Sequence, residues 1–222
     1  MQPKTPMAVP IPDRMAAGRA LAGLLEDYRG SDAIVLALPR GGVPVAWEIA
    51  RALDLPLDLL PVRKLGMPGH AEYALGAIAG GGVRVLNPQA LHGAAPDPEY
   101  LEQVTARERR ELERREQLYR GERPPPSLRG RTVLLVDDGL ATGATMRAAV
   151  QAVRRQAPAR IVLAVPVASR EALAELRARV EEIVCPLVPD WLSSIGEWYL
   201  DFAQTEDARV LAILAEAWAR PL

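Results

Sequence analysis

The run 133–145 carries the residue types best suited to chemistry in this chain of 222 residues. A strand-like apolar segment ends in two adjacent carboxylates, Asp137 and Asp138 (the acidic pair), and a small-residue loop, 139–145, then leads into a predicted helix, 146–156. Backbone N–H groups at such a helix start are unpaired and lie at the positive end of the helix dipole, so they suit a phosphate. Two carboxylates suit vicinal sugar hydroxyls or a magnesium-bound polyphosphate. A phosphate pocket beside a diol acceptor predicts a ribose 5-phosphate site.

Two further loops follow predicted strands. The segment 39–42 comes after the predicted strand 33–38. The glycine-rich segment 63–82, which begins with Arg63 and Lys64, comes after the predicted strand 57–62. Strands that alternate with helices along the chain predict a parallel sheet covered on both faces. Ligands of such sheets bind outside the carboxyl ends of the strands, so we expect these loops to converge with the run 133–145. Together they suit a ligand with two anionic ends and a polyhydroxyl middle.

The run 133–145 resembles the diphosphoribose-binding motif of type I phosphoribosyltransferases, in which two acidic residues precede a small-Thr-Gly-small-Thr loop. By order of elements the resemblance covers 33–185, and it is sharp over 133–145. It implies an α/β fold: a Rossmann-like parallel sheet with helices on both faces and a small C-terminal hood element. The chain length and the absence of a clear linker predict a single domain over 1–222. Within it, about 99–120 is a charged helical insertion that departs from the family pattern, and about 185–207 corresponds to the hood.

Such an enzyme would move the 5-phosphoribosyl group from phosphoribosyl diphosphate (PRPP) to a nitrogenous base and release pyrophosphate. The acidic pair would accept the ribose hydroxyls, and Gly139 would let the chain turn so that both carboxylates reach one ribose. The 5′-phosphate would be held by loop N–H groups and hydroxyls of Ala141, Thr142, Gly143, Ala144 and Thr145. Pyrophosphate would be bound by Arg40, Gly41, Gly42, Arg63 and Lys64. The cofactor Mg²⁺ would come with PRPP and lie near the acidic pair, without direct protein ligands.

The segment 63–73 resembles the flexible catalytic loop of adenine phosphoribosyltransferases. Hypoxanthine-guanine enzymes have an aspartate as general base inside the phosphate loop, where this chain has Ala141. His70 and Glu72 are therefore the candidate acid–base residues, and a plainly exposed position is the other interpretation of both. Trp191 follows the last predicted strand, where the family places its hood, so it is a candidate for stacking on the acceptor base. Ordinary packing fits Trp191 equally well.

Other features keep two interpretations each. Arg40 also fits a plain strand–helix turn, and Arg63 with Lys64 also fits a solvated strand end. The charged helix 99–120 is either a solvated face or an oligomer contact, for instance in a homodimer. A helix face packed on the core is predicted by the i, i+3, i+4, i+7 spacing of Ile195, Trp198, Tyr199 and Phe202.

Composition and charge narrow the function classes. The net charge is −1, so nothing global indicates nucleic acid or an anionic membrane. No apolar stretch is long enough for a bilayer, no secretory signal is visible, and the single Cys185 fits a reducing cytoplasm. A P-loop hydrolase is excluded because Gly143 is followed by Ala144 rather than lysine. The alternative function is a PRPP-binding regulator with little catalysis, as in some family members, including RNA-binding ones.

Overall fold

The computed structural model describes residues 7–67, 70–80, 82–86 and 97–220, without the side chains of 67 and 70–74. Its strands are β1 (Ile34–Ala37), β2 (Leu57–Leu59), β3 (Val62–Met67), β4 (His70–Ala79), β5 (Val83–Leu86), β6 (Thr132–Val136), β7 (Arg160–Ala164) and β8 (Glu182–Val184). Its α-helices are α1 (Arg14–Leu24), α2 (Gly42–Leu53), α3 (Pro98–Arg120), α4 (Ala144–Arg154), α5 (Arg170–Arg177) and α6 (Asp207–Ala219). Short 3₁₀ turns lie at Glu26–Tyr28 and Gly196–Trp198.

Five strands form a parallel sheet in the order β2-β1-β6-β7-β8. Ala37, the last residue of β1, pairs with Leu59 on one side and with Val136 on the other. Because the three strands end at the same level, the chain segments that follow them leave the same edge of the sheet. The predicted fold class, a parallel α/β sheet, is confirmed.

Helices cover both faces of this sheet because successive strand residues point to opposite sides. One face is formed by Val35, Ala37, Leu134 and Val136, which share a buried cluster with α1, α2 and α6. The other face is formed by Ile34, Leu36, Val133 and Leu135, which share a cluster with α4 and α5. All of these strand residues are at most 2% exposed, so the sheet is a rigid base for the segments at its edge.

The remaining strands form a separate antiparallel sheet in the order β3-β4-β5. The predicted strand 57–62 is therefore wrong: it divides at Pro61, which has no N–H to continue a ladder. The segment 63–82, expected to be a loop, is also largely strand where it is described, since β3 and β4 pair from Val62 with Ala79 onward. The small residues there permit close strand contact: a Cβ on Gly76 would lie 2.1 Å from the carbonyl oxygen of Val85.

The long charged helix α3 packs on this second sheet. Its buried residues are Val104, Thr105, Glu108, Leu112 and Tyr119. Val104 and Leu112 belong to a small apolar cluster with Leu65, Leu75 and Ile78, whereas Tyr119 belongs to the cluster on the first face of the parallel sheet. At its C-terminal end, Arg120 forms a buried ion pair with Asp58 of β2, at 2.7 Å. Most of α3 is thus exposed in the single chain, which fits both interpretations of this helix, while its inner face joins the second sheet to the parallel sheet.

The helix predicted over 195–202 does not form beyond the 3₁₀ turn. Instead, the chain extends and pairs with the N-terminal segment: Ile11 N donates to Trp198 O and Leu200 N donates to Ile11 O, both at 2.8 Å. The four apolar side chains of the predicted face still pack against the core of the first face. Within the described ranges, no helix has the length and apolar character needed to cross a membrane.

Candidate functional site

The loop after β1 packs directly against the acidic pair at the end of β6. A Cβ built on Gly41 would lie 1.9 Å from Asp138 Oδ2. A Cβ on Gly42 would lie 2.8 Å from the Val136 carbonyl oxygen and 3.0 Å from Asp137 Cα. No side chain fits in either place, so the two glycines are what allows the loops to meet. The structure thus brings together two of the three segments expected to converge.

The two carboxylates of the acidic pair are largely buried and adjacent. Asp137 Oδ1 accepts a hydrogen bond from the backbone N–H of Asp138 at 2.8 Å, and Asp138 Oδ2 accepts one from Arg14 Nε at 2.8 Å. Burial raises the pKa of Asp137 well above its ordinary value, and the neighbouring charge of Asp138 raises it further. Burial also raises the pKa of Asp138, against the opposing charge of Arg14. Hydroxyl donors or a cation would relieve this desolvated like-charge pair.

The small-residue loop forms an open turn that ends at the start of α4. Leu140 N donates to Val167 O at 3.0 Å, and the Ser169 hydroxyl donates to Ala141 O at 2.6 Å. Gly143 has a φ of +68°, a conformation that favours glycine, and α4 begins at the next residue. Ala141 and Thr142 are exposed. The loop is therefore held from behind, while its exposed residues and the unpaired first N–H groups of α4 suit an anion.

Gly139 has a different role from the one expected. Its φ is not positive, so the chain does not need it for a left-handed turn. A Cβ at this position would lie 2.6 Å from Ile195 Cγ2. Gly139 is thus required because the hood segment, residues 185–207, packs directly on the chain beside the acidic pair.

The two arginines predicted to bind pyrophosphate lie beside carboxylates. Arg40 Nη1 lies 3.6 Å from Asp207 Oδ1 at the start of α6. Arg63 lies within β3 of the second sheet, not at the end of β2 as expected, and its Nη2 lies 2.8 Å from Glu108 Oε2 of α3. Lys64 is exposed on the same strand. Among the described contacts, neither arginine reaches the acidic pair.

The candidate acid–base residues lie on a strand rather than on a loop. The backbones of His70 and Glu72 belong to β4, and their side chains lie outside the described part of the structure, as do residues 68 and 69. The segment 63–73 is therefore, where it is described, a pair of antiparallel strands.

Trp191 projects from the hood segment into solvent. Its side chain is 89% exposed, so ordinary packing, one of its two interpretations, is wrong. The hood segment around it is anchored to the site at several points. Leu187 N donates to Pro166 O at 3.2 Å, and the Tyr199 hydroxyl donates to the Asp138 carbonyl oxygen at 2.7 Å. Trp191 is thus an unpacked aromatic side chain on a segment that is hydrogen-bonded to Pro166 and Asp138.

Arg14 is a site residue that the sequence reasoning missed. It lies in the first turn of α1, 124 residues away from Asp138 in the chain. Asp13 beside it caps the helix, accepting from Ala16 N at 2.6 Å, but such a cap indicates a helix start and no partner for Arg14. The pairing depends on the tertiary fold, and no local pattern indicates it.

Comparison with known proteins agrees with this architecture. A model of the phosphoribosyl transferase domain family matches residues 13–202, a range that contains α1, the parallel sheet, the acidic pair and most of the hood segment. The chain belongs to this family, and its type I membership, implied by the run 133–145, is confirmed.

Similar proteins come from several bacteria. Two proteins of Mycobacterium tuberculosis, from strains CDC 1551 and H37Rv, are 43% identical over 205 residues, and their names assign phosphoribosyl transfer only provisionally. The alignment covers 92% of this chain and 46% of each relative, so the chain spans about half the length of these proteins.

Two solved structures share the fold. The crystal structure of TT1426 from Thermus thermophilus is 49% identical, with a TM-score of 0.79, and the match covers 92% of this chain and 97% of that one. The AQ2163 protein from Aquifex aeolicus is 13% identical, with a TM-score of 0.51 over 90% of this chain and 85% of its own.

Proposed function

We propose that this chain transfers the 5-phosphoribosyl group of PRPP to a nucleobase-like nitrogenous acceptor and releases pyrophosphate. The observation that carries the proposal is the contact between the acidic pair and Gly41 and Gly42, beside the start of α4. Carboxylates that suit a diol, a glycine loop that a diphosphate could approach closely and a helix start that suits a phosphate lie at one edge of the sheet. These are the three recognition elements that PRPP requires.

In this proposal PRPP, the phosphoribosyl donor, is bound mostly by main-chain groups and carboxylates. The acidic pair accepts the ribose hydroxyls, and the loop from Ala141 to Thr145 holds the 5′-phosphate with its N–H groups. The N–H group of Gly41 faces the diphosphate, whereas that of Gly42 already donates to Leu38 O at 3.1 Å. The reacting sugar carbon becomes cation-like as pyrophosphate leaves, so stabilisation of the leaving group is the main task of the site.

Magnesium would enter this site with the substrate. The described residues contain no group of three or more His, Cys, Asp or Glu side chains that could hold a metal. The desolvated acidic pair fits a cation carried on the diphosphate beside it, because a positive charge would relieve its repulsion. When bound, Mg²⁺ would offset the diphosphate charge. Arg40, Arg63 and Lys64 are the proposed further cations, and Arg40 would exchange its contact with Asp207 for the diphosphate.

Proton transfer and acceptor binding are assigned to other segments. The methyl group of Ala141 cannot accept a proton, so His70 and Glu72 remain the proposed acid–base residues. We assign acceptor stacking to Trp191, because its ring is free of packing while its segment is fixed at Leu187 and Tyr199. A cytoplasmic location, a single functional domain over 1–222 and a homodimer complete the proposal.

A second candidate is a regulator that binds PRPP with little catalysis. The ion pairs of Arg40 with Asp207 and of Arg63 with Glu108 favour it, because both neutralise cations that the transferase would direct at pyrophosphate. A site with its cations withdrawn would still bind ribose and the 5′-phosphate.

The test is a pyrophosphate-release assay with PRPP, Mg²⁺ and a panel of purine and pyrimidine bases, together with direct measurement of PRPP binding. Turnover with any base supports the transferase, and binding without turnover supports the regulator. The double variant Asp137→Asn with Asp138→Asn should abolish PRPP binding and stay folded. The matched double variant Asp27→Asn with Asp32→Asn, both exposed, should bind normally. Unchanged affinity in the first double variant would refute the site.

A further inference from the structure

Arg14 connects the main parts of the candidate site. Its Nε donates to Asp138 Oδ2 at 2.8 Å, and its Nη1 donates to the Ala203 carbonyl oxygen at 2.7 Å. Its guanidinium carbon lies 3.9 Å from the centre of the Phe202 ring. A Cβ on Gly41 would lie 3.1 Å from the same Nε. One side chain of α1 thus touches the acidic pair, the loop after β1 and the hood segment.

These contacts form a closed ring around Asp138. The Tyr199 hydroxyl donates to the Asp138 carbonyl oxygen at 2.7 Å, and the rings of Tyr199 and Phe202 are 4.9 Å apart between centres. Phe202 in turn lies under the guanidinium of Arg14. Asp138 is therefore held through both its main chain and its side chain by residues from the two ends of the chain.

The low exposure of Arg14 bears on whether it supports Asp138 or contacts a ligand directly. Its side chain is 12% exposed, and that of Asp138 is 16% exposed. Nε and Nη1 of Arg14 are directed at Asp138 and Ala203, both protein acceptors, and its flat face is covered by Phe202. These two donor atoms and the face of the guanidinium are therefore engaged with the protein, which favours a supporting role over direct contact with a diphosphate.

We infer that Arg14 is a positioning residue that fixes the Asp138 carboxylate for the ribose hydroxyls of PRPP, an inference that rests on the proposed function. Without a cation, Asp138 would be repelled by Asp137 and could rotate about its side-chain bonds. Arg14 offsets that repulsion and holds Oδ2 in a charge-assisted hydrogen bond, which leaves Oδ1 in a defined place for a hydroxyl. Affinity gained through the ribose therefore depends on Arg14, whereas affinity for a ligand without ribose does not.

The test compares two ligands by calorimetry in the presence of Mg²⁺: PRPP, which contains the ribose, and pyrophosphate, which does not. In Arg14→Gln, PRPP affinity should fall about tenfold or more, as expected for loss of a group supported by a charged hydrogen bond, while pyrophosphate affinity changes less than about twofold. Arg14→Lys keeps the charge and should recover most of the PRPP affinity. The control Arg19→Gln, on the same helix and paired with Glu48 at 3.7 Å, should bind both ligands normally.

The outcomes separate this inference from the proposed function. Absence of PRPP binding by the unmodified chain would overturn both. Normal PRPP binding by the unmodified chain with unchanged affinity in Arg14→Gln would overturn the inference alone. Equal weakening of PRPP and pyrophosphate in Arg14→Gln would also overturn it, because Arg14 would then act as a general cation or support the fold. Pyrophosphate binding by Arg14→Gln also shows that the binding site of this variant is folded.

Discussion

Replacing Arg120 with methionine should leave a buried carboxylate without its partner where α3 joins the parallel sheet. In the structure, Arg120 Nη1 lies 2.7 Å from Asp58 Oδ1, and Nη2 donates to Leu59 O at 3.0 Å. The two side chains are 10% and 5% exposed. Removing one partner of a buried ion pair costs about 3–5 kcal/mol, because the other charge stays desolvated. For a protein of this size the melting temperature should fall by roughly 6–20 °C.

The loss should depend on pH with a definite sign. Burial raises the pKa of Asp58 above its ordinary value, and the charge of Arg120 opposes that rise. In the variant the opposing charge is gone, so the pKa rises further. Protonated Asp58 brings no charge into the folded state. The loss of stability caused by Arg120→Met is therefore small at acid pH. It grows as the pH rises from the pKa of Asp58 in the unfolded chain, about 3.9, through its higher pKa in the folded variant.

Thermal and urea unfolding at about pH 5 and about pH 8 measure both effects, and the deficit should be larger at the higher pH. The control is Arg114→Met on the same helix, whose ion pair with Glu111 lies on the exposed face of α3 and should leave stability unchanged. A deficit for Arg120→Met no larger than that of the control, or equal at the two pH values, would refute the idea that a charged, desolvated Asp58 needs this partner.

Two further predictions concern the site and the thiol. Gly41→Ala should abolish PRPP binding, since the new Cβ would lie 1.9 Å from Asp138 Oδ2; Gly23→Ala, on α1 with no atom within 4 Å of the new Cβ, should bind PRPP normally. Normal PRPP binding by Gly41→Ala would contradict the close approach of the two loops. Burial raises the pKa of Cys185 to about 12, so a thiol reagent at mildly alkaline pH should modify it only after unfolding. Rapid modification of the folded chain would show that the thiol is accessible.

The parallel sheet and the run 133–145 could be predicted from the sequence because their signals are local. Apolar strands of four or five residues, ended by loops of small residues, reflect burial on both faces of a parallel sheet. The predicted strand 57–62 failed because Pro61 divides it between two sheets, and its residues are apolar on both sides of the break. The glycines of 65–82 predict a loop locally, although close strand contact is what requires Gly76.

The support of the acidic pair could not be predicted in the same way. Arg14, Tyr199 and Phe202 reach Asp138 or its partner from opposite ends of the chain. The spacing of Tyr199 and Phe202 indicates burial correctly, but a helix and an extended segment can bury the same residues when a neighbouring strand-like segment supplies hydrogen bonds. That neighbouring segment contains Ile11, and nothing in the sequence of the hood segment indicates that the two segments pair.

The pairing of the two chain ends around Asp138 has a consequence for the order of folding. Arg14 and Ala203 are 189 residues apart, and such contacts form late because their loop-closure entropy must be offset by contacts already made. During synthesis, β1 and β6 can assemble while the hood segment is still within the ribosome. Asp138 acquires its guanidinium, its aromatic support and its tyrosine only once the hood segment has emerged. The proposed competence to bind PRPP would thus be acquired late in folding, and a nascent chain that ends before the hood segment would carry the motif without the site.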